Sequence, residues 1–133
     1  MLYLDTSAIL AAVVEGPARS MVIEALAMDL AAVTAASTLA EALAAVDRLT
    51  DEAVLRAALE DELRRLWDHL YVVEIGPALL EEAAALCRLH PLRLAHALHL
   101  TAAGRLPAPT SYVTLDPAQI PVALALEFDL ISL

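Results

Sequence analysis

The sequence contains no lysine: all eight basic residues are arginine, against eighteen aspartates and glutamates, for a formal net charge of −10. Any mechanism that needs a lysine amine is therefore excluded. The acid surplus also argues against a general nucleic-acid coat protein, because backbone-driven binding comes from a surplus of Lys and Arg on phosphates. A local arginine patch stays open. A single cysteine, Cys87, permits no internal disulfide, and no secretory n-region or h-region precedes the first apolar residues, so a cytoplasmic setting is expected. Cys87 itself is expected as a small buried hydrophobe. Long apolar runs are missing too. Hydrophobic residues make up 60% of the chain, yet an uncharged run such as Leu30 to Ala40 falls far short of the ~20 residues that span a bilayer. A soluble protein with no membrane partner is expected.

What the 133 residues do contain is the pattern of one α/β domain spanning 1–133, of a size that buries roughly two thirds of its unfolded surface. Leu2, Tyr3 and Leu4 read as a buried parallel strand. Thr6 or Ser7 is a candidate N-cap for the apolar segment Ala8 to Val14, and a second helix is expected over Ala18 to Met28. Leu30 to Thr34 reads as a strand and Ser37 as the cap of a helix reaching Arg48. Thr50 opens a long amphipathic helix carrying Leu55, Leu59, Leu63, Leu66 and Leu70 on its stripe. Tyr71 to Ile75 is a strand closed by Gly76-Pro77, followed by a helix to Leu89. Pro91 is placed in the first turn of a helix that ends at Gly104. Ser111 to Leu115 and Phe128 to Leu133 supply the last strands. Alternating strands and helices predict a three-layer α/β/α sandwich around a mainly parallel sheet of four to five strands.

Two carboxylates close predicted strands, Asp5 after the first and Asp116 after Ser111 to Leu115. In open α/β sheets the ligand crevice lies outside the carboxyl ends of the strands, at the switch point, so a doubly wound sheet can bring the two together. Glu41, in the first turns of a helix that follows a strand, belongs to the same edge. Each has a plainer role available: Asp5 as a helix cap, Glu41 as solvated surface. Two like charges ~4 Å apart repel by about 4 kcal/mol at an effective dielectric of about 20, so three acids together need a proton or a cation. Mg²⁺ or Mn²⁺, which favour carboxylate and water, would serve. Such an ion can orient a water and stabilise the charge that develops on a phosphodiester.

Four segments then match a known pattern in order and spacing. Leu4-Asp5-Thr6-Ser7-Ala8, Ser37-x-x-Ala40-Glu41, the run from Leu92 to Leu100 and Val113-Thr114-Leu115-Asp116 resemble the motifs of PIN-domain ribonucleases. The chain is most similar to the VapC toxins of bacterial type II toxin–antitoxin modules. The resemblance implies that Asp5, Glu41 and Asp116 are acidic metal ligands for Mg²⁺ or Mn²⁺, with Thr6, Ser7 and Thr114 positioning ligands or phosphate. It also implies cleavage of RNA to inhibit translation, a homodimer, and a cognate VapB-like antitoxin that completes a heterotetramer or larger assembly. Two other folds with a strand-end aspartate fit worse: a phosphoacceptor receiver needs a lysine, and a haloacid-dehalogenase-like phosphatase expects Asp-x-Asp where Asp5 is followed by Thr6-Ser7.

The departure is His96. The family helix normally carries an aspartate at that catalytic position, one turn after Arg93. An imidazole removes a charge and replaces a hard oxygen with a borderline nitrogen, which suits Mn²⁺, Fe²⁺ or Zn²⁺ better than Mg²⁺. Three outcomes follow: a weakened or dead site, a softer metal, or an inactivated copy that binds antitoxin or RNA without cleaving. The plain reading, a hydrogen-bonded structural histidine, stands beside them. Reduced or lost cleavage on an RNA-cleaving scaffold is the expectation.

Overall fold

The apolar segments and their breaks translate into twelve elements in a computed structural model that describes residues 1–28 and 30–133. The strands are β1 (Leu2–Leu4), β2 (Ala32–Ala35), β3 (Tyr71–Val73), β4 (Ser111–Val113) and β5 (Asp129–Ile131). The helices are α1 (Thr6–Val13), α2 (Arg19–Ala27), α3 (Thr38–Leu49), α4 (Ala53–Trp67), α5 (Pro77–Leu89), α6 (Leu94–Ala103) and α7 (Ile120–Ala125). All four strand pairings are parallel, and the order is β3-β2-β1-β4-β5. The chain winds outward from β1 to β3, then crosses back to β4 on the other side of β1. The switch point therefore falls between the carboxyl ends of β1 and β4, where Leu4 pairs with Val113.

Alternation along the strands divides the interior into two cores. Leu2 and Leu4 face a layer built from α1 to α4, with Ile9, Val22, Val46 and Leu63 buried against them. Tyr3 faces the opposite way, into a layer of Leu79, Leu100, Tyr112 and Val122 from α5, α6, β4 and α7. The sandwich thus has its expected three layers and five strands. The long apolar stripe of α4 is only partly used: Leu63 is fully buried, whereas Val54 is 85% exposed. Cys87 is half-buried rather than buried. Among the described residues no helix is long and apolar enough to cross a membrane.

Several helix starts differ from expectation, for local reasons. Asp5, not Thr6 or Ser7, caps α1: its backbone is extended (φ −79°, ψ 179°) and its side chain accepts from the Ala8 amide. Thr50 lies outside α4, whose N-cap is Glu52; the Thr50 hydroxyl accepts from the Glu52 amide instead. Pro91 and Leu92 precede α6, which begins at Leu94 after an extended Arg93.

Burial makes two substitutions in α4 diverge. Leu63→Ala should cost ~2–5 kcal/mol, and Val54→Ala should stay within about 0.5 kcal/mol of the parent, both read from urea denaturation. Equal losses at the two positions would contradict this division of the helix.

Candidate active site

Asp5 leaves β1 directly into α1, so its side chain stands at the switch point while the rest of the residue is sealed in. It is 1% exposed. A carboxylate so deeply buried requires donors, and four supply them. Oδ1 accepts from the Ser7 hydroxyl (2.6 Å) and the Ala8 amide (2.9 Å); Oδ2 accepts from the Thr114 hydroxyl (2.6 Å) and the Gln119 side-chain amide (2.9 Å). The two readings of Asp5 thus coincide, since the helix cap is also the strand-end carboxylate.

Ser7 and Thr114 each do two things. Ser7 Oγ accepts from the Leu115 amide (2.9 Å), and Thr114 Oγ1 accepts from the Asp116 amide (3.1 Å). The segment after β4 is thereby tied to the start of α1, and Asp116 is set beside Asp5 through Thr114. Asp116 Oδ1 accepts from the Ala118 amide (2.9 Å), and Oδ2 lies 2.6 Å from His96 Nε2. The opposite ring nitrogen, His96 Nδ1, is buried with no described partner. Arg93, the N-cap of α6, is exposed and is in no ion pair among the described residues, unlike Arg19, Arg64 and Arg105, which pair with surface acids.

Glu41 enters from α3 and is held from the other side. Its Oε1 lies 3.1 Å from His99 Nε2 and accepts from the Ser37 hydroxyl at 3.3 Å. His99 Nε2 is also 2.9 Å from Thr6 Oγ1, and His99 Nδ1 is 2.8 Å from the Tyr3 phenol. Burial alone would raise the Glu41 carboxyl, but the hydrogen bond from His99, with those of Thr6 and Ser37, holds it below the ordinary carboxylate value. Burial, then the negative charges of Asp5 and Glu41, push the Tyr3 phenol well above its usual range. Burial does the same to Tyr112, with Asp5 next in effect. Both tyrosines therefore stay protonated and donate, Tyr112 to Gln119 Oε1 at 2.5 Å. They pair in register across β1 and β4 and stack with ring centroids 5.3 Å apart.

The sequence-predicted residues gather at one edge, but into two linked groups. Asp5, Ser7, Thr114, Asp116 and His96 form the first, and Glu41 and Thr6 the second, joined through α1. Two members were not foreseen. His99 shares its helix face with His96 one turn earlier, and Gln119 stands three residues after Asp116; those spacings were the available signals. Hard carboxylate oxygens suit Mg²⁺ or Mn²⁺ in kind, yet the arrangement does not fit such an ion as it stands. Both oxygens of Asp5 and of Asp116 already have partners, and among the described residues no three His, Cys, Asp or Glu side chains could jointly hold a metal.

A family profile described as PIN domain matches residues 2–123. No curated protein matches the sequence. Similar solved structures include a toxin–antitoxin complex from Klebsiella pneumoniae, 20% identical, covering 90% of this chain and 90% of that one (TM-score 0.66). VapBC2 from Rickettsia felis, bound to a DNA fragment from its promoter, is 15% identical over 100% and 99% (TM-score 0.70). FitAcB from Neisseria gonorrhoeae is 17% identical over 98% and 96% (TM-score 0.69).

The shifted groups set the pH response of stability. Because the folded Glu41 value is lowered, its contribution is present above the unfolded carboxylate value near ~4.3 and is lost as pH falls through the folded one. The tyrosine values are raised in the folded state. Their contribution is present below ~pH 10 and is lost as pH rises beyond it. In urea titrations the alkaline slope of stability should flatten in Tyr3→Phe/Tyr112→Phe, whatever its baseline; an unchanged slope would place the alkaline loss elsewhere.

Proposed function

The chain belongs to the PIN-domain family, and from that premise we propose that it is a VapC-like toxin of a type II toxin–antitoxin module with weakened endoribonuclease activity. The reaction class is metal-dependent cleavage of RNA phosphodiesters, which inhibits translation. The partners are RNA, a cognate VapB-like antitoxin and a second copy of the chain, in a heterotetramer or larger assembly. One of the similar structures, from Klebsiella pneumoniae, is a toxin–antitoxin complex, which supports an antitoxin partner. Asp5, Glu41 and Asp116 are the acids this reading uses, with Mg²⁺ or Mn²⁺ as the ion. Thr6, Ser7 and Thr114 hold them, and exposed Arg93 is available to an RNA phosphate.

The observation that carries the weakening is the 2.6 Å contact between His96 Nε2 and Asp116 Oδ2. An acid at position 96 would repel Asp116 and leave both oxygens seeking a cation. An imidazole instead donates to Asp116 and occupies the oxygen an ion would take. Full use of Asp116 as a ligand then requires that contact to break.

A second reading, a PIN module that binds antitoxin or RNA without cleavage, is favoured by the four donors already on Asp5. One comparison separates the two. With Mg²⁺ or Mn²⁺, His96→Asp should cleave RNA roughly 10–100-fold faster than the parent, the range typical of changes around metal ligands. EDTA should stop both proteins, and the parent should favour Mn²⁺ over Mg²⁺. A parent as fast as His96→Asp in Mg²⁺ would remove the weakening. A His96→Asp protein that stays inert would leave the silent binding module.

A further inference from the structure

His99 is 1% exposed and every polar atom of its ring is engaged. Burying an imidazole here stabilises the fold little. If Tyr3 and His99 were both replaced by apolar groups of similar shape, the balance of lost bonds and saved desolvation would be near neutral. What the arrangement supplies is direction. The Tyr3 phenol carries an O–H to donate, and among the described hydrogen bonds its one acceptor is His99 Nδ1 at 2.8 Å. An accepting Nδ1 places the proton on Nε2, and that N–H points to Glu41 Oε1 and Thr6 Oγ1. Donor polarity thus runs one way, from a buried phenol through a fixed tautomer to a half-buried carboxylate.

The neighbouring strand repeats the device with other side chains. Tyr112 donates to Gln119 Oε1, and Gln119 Nε2 donates to Asp5 Oδ2. Each carboxylate is therefore reached by an intermediary side chain that stands on a tyrosine, and the two tyrosines stack face to face with 10° between their planes. His96 differs in both respects: it is a quarter exposed, and among the described residues none besides Asp116 orients its ring.

We propose that His99 is a positioning residue for Glu41, fixed in its Nε2–H tautomer by Tyr3, and that it keeps the Glu41 side chain in a single rotamer aimed at the site. The inference rests on the reading of Glu41 as one of the working carboxylates. A leucine at position 99 removes both the donor and the acceptor; a glutamine keeps an acceptor for Tyr3 and a donor for Glu41.

The test uses the full chain with isotope-labelled histidine and glutamate. In the parent at neutral pH, ring nitrogen shifts of His99 should report a protonated Nε2 and a bare Nδ1, and side-chain couplings of Glu41 should report one rotamer. Tyr3→Phe/His99→Leu, which leaves neither partner orphaned, should average the Glu41 couplings, and His99→Gln should keep them unaveraged. A single Glu41 rotamer in the double variant, or a protonated Nδ1 in the parent, overturns the proposal. These readouts need no catalysis, so they decide about His99 whether or not His96→Asp cleaves RNA. Where His96→Asp is active, adding Tyr3→Phe/His99→Leu should lower kcat roughly 100-fold, the scale of a 1 Å misplacement, with KM within about twofold. Adding His99→Gln should restore most of the rate, and an unchanged kcat in the leucine variant overturns the proposal.

Discussion

A buried negative charge at the end of the first strand is the constraint from which the rest of this architecture follows. Placing Asp5 out of water would cost several kcal/mol uncompensated, and the fold meets that cost with four donors drawn from α1, the end of β4 and the residue before α7. Those donors fix which elements must meet. Thr114 and Gln119 can reach Asp5 because β4 lies directly beside β1. Ser7 can reach it because α1 starts without an intervening loop.

Around that anchor the site is held from two sides of the sheet edge. On one, the main chain after β4 is stitched to α1 through Ser7 and Thr114, which carries Asp116 into place. On the other, α3 presents Glu41 to a histidine supported from below. Helix α6 serves both sides with residues one turn apart: His96 meets Asp116, and His99 meets Glu41. The two histidines of one short helix thus have opposite consequences, one occupying a carboxylate oxygen and the other directing a carboxylate.

Strand-end acids were legible in the sequence because a carboxylate that stops an apolar run is visible without knowing what lies next to it. Asp5 and Asp116 were read that way, Glu41 from its place in the first turns of a helix that follows a strand, and the alternation of strands and helices gave the layers. The β3-β2-β1-β4-β5 order was not readable, since it depends on pairing β1 with residues more than a hundred positions later. His99 and Gln119 were missed for a related reason. Each sits in an apolar stretch where a polar residue looks incidental, and its purpose appears only with partners 96 and 114 positions away in the chain. The helix starts went astray where two caps competed. Asp5 outbids Thr6 and Ser7 because its carboxylate is also held by Thr114 and Gln119, a gain no local pattern records.

Asp5 has consequences for synthesis as well. Its Oδ2 partners are 109 and 114 residues downstream, and β1 has no neighbour on one flank until 111–113 arrive. A chain emerging from the ribosome therefore carries an unmet charge and an open strand edge through most of its translation, and non-local pairing of this kind is slow to form. The crevice comes into being only once residues 111–119 have joined the edge beside β1. A chain cut before residue 111 lacks Thr114, Asp116 and Gln119, and with them two of the four donors that hold Asp5.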